Sequence, residues 1–265
     1  MTWRTRMLAF VLLCLAAVAV AYAWSVRHAV APRLPPMSQA APEPALPGDV
    51  FALGFVPPAP GSYQLEHILR APDGPVLDSD GTAHALRTFT TGKITLFSFV
   101  YTYCTDAKGC PLAYATLHAL RDLVTRDPAL RGQVRLVSMS FDPVSDTPAM
   151  MRSYAGDDAK PGPVPWHFLT TASTNALAPV LAGFGQDVSV VAPGVAGQRP
   201  PVLNHLLKVY LIDPAGMVRE IYATAYLHPE ILRNDIVTLL TERDVAASTR
   251  KTAALDGSVT VSTAH

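Results

Sequence analysis

The stretch Ile94-Thr95-Leu96-Phe97-Ser98-Phe99-Val100-Tyr101-Thr102-Tyr103-Cys104-Thr105-Asp106-Ala107-Lys108-Gly109-Cys110-Pro111 decides the fold. Residues 94–101 are, apart from Ser98, apolar, β-branched or aromatic and lack a helical period, which is the pattern of a strand buried on both faces. Pro111 stands where a helix begins, because the first turn leaves its N–H groups unpaired and proline has none to lose. Leu117, Leu120 and Val124 then fall on one face of that helix. A buried strand thus runs through a short loop into a helix, and the loop carries two cysteines.

Working outward, 134–141 reads as a second buried strand. Thr147-Pro148 starts a second helix that Gly156 can stop, and Leu177, Val180, Leu181 and Phe184 form a third apolar stripe closed by Gly185. A strand over 206–212, a turn at Asp213-Pro214-Ala215-Gly216 and a strand over 217–222 make a hairpin. A last helix follows from Pro229, with Leu232, Ile236, Leu239 and Leu240 inward. The order strand, helix, strand, helix, helix, hairpin, helix describes an α/β fold, a thioredoxin-like sandwich, better than a doubly wound sheet.

Composition narrows the function classes. The 265 residues carry 21 Lys+Arg against 21 Asp+Glu, so no basic excess marks a nucleic-acid binder. A hydrophobic fraction of 49% argues against a wholly disordered chain. Three cysteines exclude a disulfide-framework scaffold and any four-thiolate cluster.

The ends of the chain read differently from its middle. Arg4 and Arg6 precede an uninterrupted apolar run from Met7 to Trp24. Residues 1–24 are therefore read as a transmembrane anchor that leaves the N-terminus inside and the rest outside. Ala21-Tyr22-Ala23 offers the alternative of a cleaved signal. Cys14 lies within this run and reads as an inert apolar cysteine. Residues 25–60, rich in Pro and Ala, read as a semi-rigid linker. Residues 61–244 hold one folded domain, and 245–265 read as a disordered, solvated tail.

The chemistry concentrates on Cys104 and Cys110. Both sit at the carboxyl end of a central strand, where α/β proteins place their sites. Cys110 is the expected N-cap of the helix, where unpaired amides and the helix dipole favour thiolate. Such a pair is redox-active, a soft-metal ligand set, or a structural disulfide. Two thiolates joined by an imidazole suit copper(I) or zinc. Of the eight histidines, His28 lies in the linker, His265 in the tail and His118 on a helix surface. His205 is the candidate ligand, because it opens the strand 206–212 after a Gly/Pro-rich loop. His228 reads as a neighbour of a helix N-cap, Lys108 as a loop charge beside the cysteines, and Asp142 as either a turn residue or a tuner of the thiols. A peroxidase reading is weaker, since Thr102 and Cys104 are spaced Thr-x-Cys rather than Thr-x-x-Cys.

These residues carry a resemblance. Phe99 to Cys104 with Cys110-Pro111, then Ser140-Phe141-Asp142-Pro143 with Asp146-Thr147-Pro148, then His205 with Tyr210-Leu211-Ile212-Asp213-Pro214 and Gly216, resemble the Sco/SenC family. The resemblance implies a thioredoxin fold tethered by an N-terminal helix and facing the periplasm or its mitochondrial equivalent. It implies copper as cofactor, bound by Cys104, Cys110 and His205, and delivery to the apo copper-site subunit of a respiratory oxidase in the assembly of its binuclear copper centre. Some relatives are thought to act instead as thiol-disulfide reductases, with a redox dithiol that here would be Cys104 and Cys110 and with a thiol reductant protein as partner. The chain departs from the family pattern by placing five residues, Thr105 to Gly109, between the cysteines where the family has three.

Overall fold

The computed structural model describes residues 51, 53–192, 194 and 202–259, together with Trp3. The expected anchor, Cys14, most of the linker, much of the 193–201 loop and the last six residues lie outside the described residues. Among the described residues no helix is long and apolar enough to cross a membrane.

The sheet is built around two strands, β4 (Ile94–Val100) and β5 (Val134–Ser140), every residue of which is buried. They are parallel and in register from Ile94 opposite Val134 to Val100 opposite Ser140. Burial on both faces matches their mainly apolar makeup, with Thr95, Ser98, Arg135, Ser138 and Ser140 as buried polar exceptions. The other strands are β1 (Leu69–Arg70), β2 (Pro75–Asp78), β3 (Ala83–Ala85), β6 (Trp166–Thr170), β7 (Val188–Ala192), β8 (Val202–His205), β9 (Val209–Ile212) and β10 (Met217–Tyr222). Eight of the ten form one mixed sheet in the order β1-β10-β9-β4-β5-β6-β2-β3, and β7 pairs with β8 as a separate ribbon. The helices are α1 (Arg87–Thr90), α2 (Cys110–Arg126), α3 (Pro148–Ala155), α4 (Thr174–Phe184) and α5 (Pro229–Val259).

Side-chain contacts assign the helices to the two faces. Phe97 and Phe99 share one face of β4 and meet Phe184 of α4, with ring centroids 4.7 and 5.5 Å apart. On the opposite face Ser98 lies 3.3 Å from Ser138, which accepts a hydrogen bond from Trp166 Nε1 at 3.0 Å. Tyr114 of α2 covers that Trp166 ring at 5.0 Å, and Tyr154 of α3 reaches Phe168. The caps follow their residue types. Thr147 precedes α3 and accepts from Met150 N, while Gly185 ends α4 with φ of 61°, a left-handed conformation that favours glycine.

Several expectations need correction. The strand expected over 206–212 begins only at Val209, so His205 closes β8 of the ribbon instead of opening a strand of the main sheet. Trp166–Thr170 adds a strand between the second and third expected helices. The final helix continues to Val259 across the expected tail, with residues 245–250 exposed; Ala246, Ala247, Ala253, Ala254 and Leu255 favour helix there, set among Ser, Thr, Val, Asp and Gly residues that do not. The chain ahead of Gly61 is also held: the carbonyl of Phe51 accepts from His228 Nε2 at 2.6 Å and that of Pro58 from Asn234 at 3.2 Å. Glu230 N donates to His228 Nδ1 at 3.1 Å, so this histidine caps α5.

Candidate metal centre

The site is assembled at the carboxyl end of β4. Beyond Val100 the chain turns back, with Cys104 N donating to Tyr101 O at 3.2 Å. The five residues between the cysteines are closed by a second turn. Gly109 N donates to Asp106 O at 2.8 Å, and Lys108 N donates to Asp106 Oδ1 at 3.0 Å. Asp106 thus organises the longer loop through its own side chain. Gly109 fits because a Cβ there would stand 3.2 Å from the Asp106 carbonyl oxygen. The N-cap of α2 is Gly109, so Cys110 is the first helical residue rather than the cap that the sequence predicts.

This folding brings the three expected ligands together. The sulfurs of Cys104 and Cys110 and a ring nitrogen of His205 all lie within 4.8 Å of one another. His205 Nε2 is 3.8 Å from the Cys110 sulfur. Its Nδ1 stands 3.3 Å from the carbonyl oxygen of Leu206, an acceptor only. That contact turns Nε2, the nitrogen a metal would take, toward the sulfurs. The ring is wedged against Phe141 at 4.6 Å and set edge-on to Tyr101 at 6.4 Å. Cys110 is buried, Cys104 and His205 are half-buried, and the cleft they share is lined by Tyr101, Lys108, Gly109 and Leu203.

The two thiols differ sharply. Cys104 is pulled down to about 4, first by the hydrogen bond from the Cys110 thiol and then by His205 and the backbone N–H groups of Cys110 and Asp106, against its partial burial. Cys110 is pushed up, because its S–H donates to the Cys104 thiolate and because it is buried beside that charge. The sequence expects the helix N-terminus to ionise Cys110. The amide at that N-terminus favours both sulfurs, but on Cys110 it is outweighed by the bond to Cys104 and by burial, so the ionised sulfur is Cys104.

Two thiols and an imidazole fit a soft metal ion. A metal bonded to two sulfurs at about 2.3 Å each holds them no more than about 4.6 Å apart, so the donors already stand near coordination spacing. Among the described residues no fourth histidine, cysteine or carboxylate completes the group. A closed four-ligand structural site is therefore not what these residues build.

One feature beside the site escapes sequence reasoning. Asp146 is fully buried and accepts from Thr102 N at 3.1 Å, Thr102 Oγ1 at 2.5 Å and Ser140 Oγ at 2.7 Å. Burial pushes its carboxyl up, opposed by those same donors. Asp142 has the turn role: its carbonyl accepts from Asp146 N at 2.8 Å and its Oδ1 from Ser145 N at 3.4 Å. The Asp-Thr-Pro motif signals a helix start, and nothing in it says that the aspartate reaches back to the cysteine loop.

Comparison with known proteins agrees with this architecture. The chain resembles Arabidopsis thaliana ScoI with copper bound (TM-score 0.54, 19% identity, covering 65% of this chain and 98% of that one). It resembles yeast Sco1 (0.55, 18%, 65% and 98%) and Bradyrhizobium japonicum ScoI with copper bound (0.51, 23%, 64% and 98%). At these identities the likeness establishes the fold, which is the thioredoxin-like fold of Sco proteins. No curated protein sequence matches the chain. The SCO1/SenC family model matches residues 76–241, well over half of the sequence and enclosing all three ligands, and on that match the chain belongs to the SCO1/SenC family.

Proposed function

We propose that this protein is a copper-binding metallochaperone, tethered by residues 1–24 with its domain facing the periplasm, that supplies the apo copper-site subunit of a respiratory oxidase. The observation that carries the proposal is the convergence of Cys104, Cys110 and His205 within 4.8 Å. Copper bound in two relatives of the same fold, those of Arabidopsis thaliana and Bradyrhizobium japonicum, supports the choice of metal. Copper is the cargo here, held as copper(I) by two thiolates and an imidazole. Cys104 meets it already ionised, so loading displaces chiefly the proton of Cys110. Three protein ligands leave a coordination position for the partner, and the half-buried Cys104 and His205 present the ion at the cleft mouth.

A second reading has its own observation. A half-exposed Cys104 thiolate beside a protonated, buried Cys110 is the arrangement of a dithiol reductant. Cys104 would attack a partner disulfide and release one partner thiolate. Cys110 would then resolve the mixed disulfide, freeing the second and leaving Cys104–Cys110 oxidised by two electrons until a reductant protein restores it.

The test uses the full chain in detergent with its thiols reduced, loaded with copper(I) and desalted. The expected result is one copper per chain, none after Cys104→Ser or Cys110→Ser, and transfer to an apo copper-site subunit on mixing. Failure of the reduced chain to retain copper would overturn the chaperone reading in favour of the reductant.

A further inference from the structure

The cysteine loop is secured from an unexpected side. Thr102, two residues before Cys104, gives both its backbone N–H and its hydroxyl to the buried Asp146 carboxylate. That carboxylate is itself fixed. Asp146 N–H binds the Asp142 carbonyl, and Oδ2 accepts from Ser140 Oγ, which in turn accepts from Asp142 N at 2.9 Å. Asp146 therefore locks the end of β4, which leads to Cys104, onto the end of β5. The same end of β5 supplies Phe141, the ring packed on His205. Ligands from two separate elements are thus registered to one buried anchor.

We infer that Asp146 is the positioning residue of the metal centre, setting through Thr102 where the Cys104 sulfur stands relative to Cys110 and His205. Without the carboxylate, two half-buried donors of Thr102 lose their acceptor, and the loop shifts to pair them with water or other groups. An amide in its place offers one acceptor oxygen instead of two: with that oxygen on Thr102 N–H and Ser140 Oγ, its N–H groups face the Thr102 hydroxyl, which must turn round to accept, and the charge that strengthens all three bonds is lost. The inference rests on the copper-binding reading for its first readout, and a metal-free readout keeps the two apart.

The experiment measures, on the full chain, copper(I) affinity against a chromophoric chelator and the equilibrium constant for oxidation of the dithiol by glutathione disulfide, which yields the protein disulfide and two glutathione thiols. Asp146→Asn and Thr102→Val should each weaken copper binding about 10-fold or more, the scale on which metal sites respond to loss of a supporting group. Both should also lower the glutathione constant about fivefold or more, because the sulfurs are less well held together. Thr102→Ser, which keeps both donors, should behave as wild type. Asp235→Asn, which breaks a buried carboxylate remote in sequence and bonded to Tyr63 and Tyr222, should lower the unfolding midpoint while leaving both readouts unchanged. Folded Asp146→Asn protein with wild-type affinity and a wild-type glutathione constant would overturn the inference. If that variant does not fold, Thr102→Val carries the same decision. A wild-type chain that binds no copper refutes the copper reading alone, and the glutathione constants still decide the role of Asp146.

Discussion

Cys104 should remain reactive at a pH where ordinary cysteines are silent. With its thiol pulled down to about 4, it is about nine-tenths thiolate at pH 5, whereas a free cysteine near 8.5 is ionised to about 3 parts in ten thousand. The advantage in thiolate is about 3000-fold. Intrinsic nucleophilicity falls with basicity at a Brønsted slope of about 0.4–0.5, which over about 4.5 pH units removes roughly 100-fold. The net expectation at pH 5 is alkylation about 30-fold faster than free cysteine, with parity near pH 6.5 and a rate about 25-fold slower at pH 8. The assay is iodoacetamide labelling of the reduced, chelator-treated chain, with the modified residue located by mass spectrometry. Partial burial scales every rate by one factor, so the diagnostic is the slope, expected to be flat from pH 5 to 8. Cys110→Ala removes the first cause of the shift and should restore a rising profile. A wild-type rate that climbs about tenfold per pH unit across this range would refute the assignment of the ionised sulfur to Cys104.

Two further outcomes test the scaffold. Phe184→Ala empties the buried junction of Phe97, Phe99 and Tyr210 and should cost about 3–5 kcal/mol in urea unfolding; a loss below about 1 kcal/mol would mean that this aromatic cluster does not hold α4 to the sheet. A chain beginning at residue 50 should be more stable than one beginning at residue 61 by about 1–3 kcal/mol, the value of the hydrogen bonds to the Phe51 and Pro58 carbonyls, and equal melting temperatures would show that this segment is not held in solution.

The elements legible in the sequence are those whose signal is local and strong. Residues 94–100 and 134–140 announce themselves by dense apolar content without a helical period, and α3 and α4 by Thr147-Pro148, Gly156 and Gly185. The strand Trp166–Thr170 was hidden because five residues interrupted by His167 carry little periodicity, and β1 to β3 are shorter still. His205 is legible as a candidate ligand, but it closes β8 rather than opening the strand that the sequence predicts. Leu206 continues the apolar run on paper, yet it is 74% exposed and lies outside any strand. The three residues that the structure gathers as candidate ligands are legible from residue type and motif. Which sulfur the helix N-terminus ionises was not, because that depends on how a loop with two additional residues folds back. Nor was the reach of Asp146 to Thr102, a contact across 44 positions that no local pattern encodes.

The central claim is a three-ligand copper site, and its most direct measurement is the copper(I) affinity of the reduced chain beside that of His205→Ala. Loss of the imidazole should weaken binding about 10-fold or more, while the Cys104–Cys110 pair still oxidises and reduces as in wild type. An affinity that does not respond to His205→Ala would contradict the site and leave the thiol-disulfide reductant as the better account.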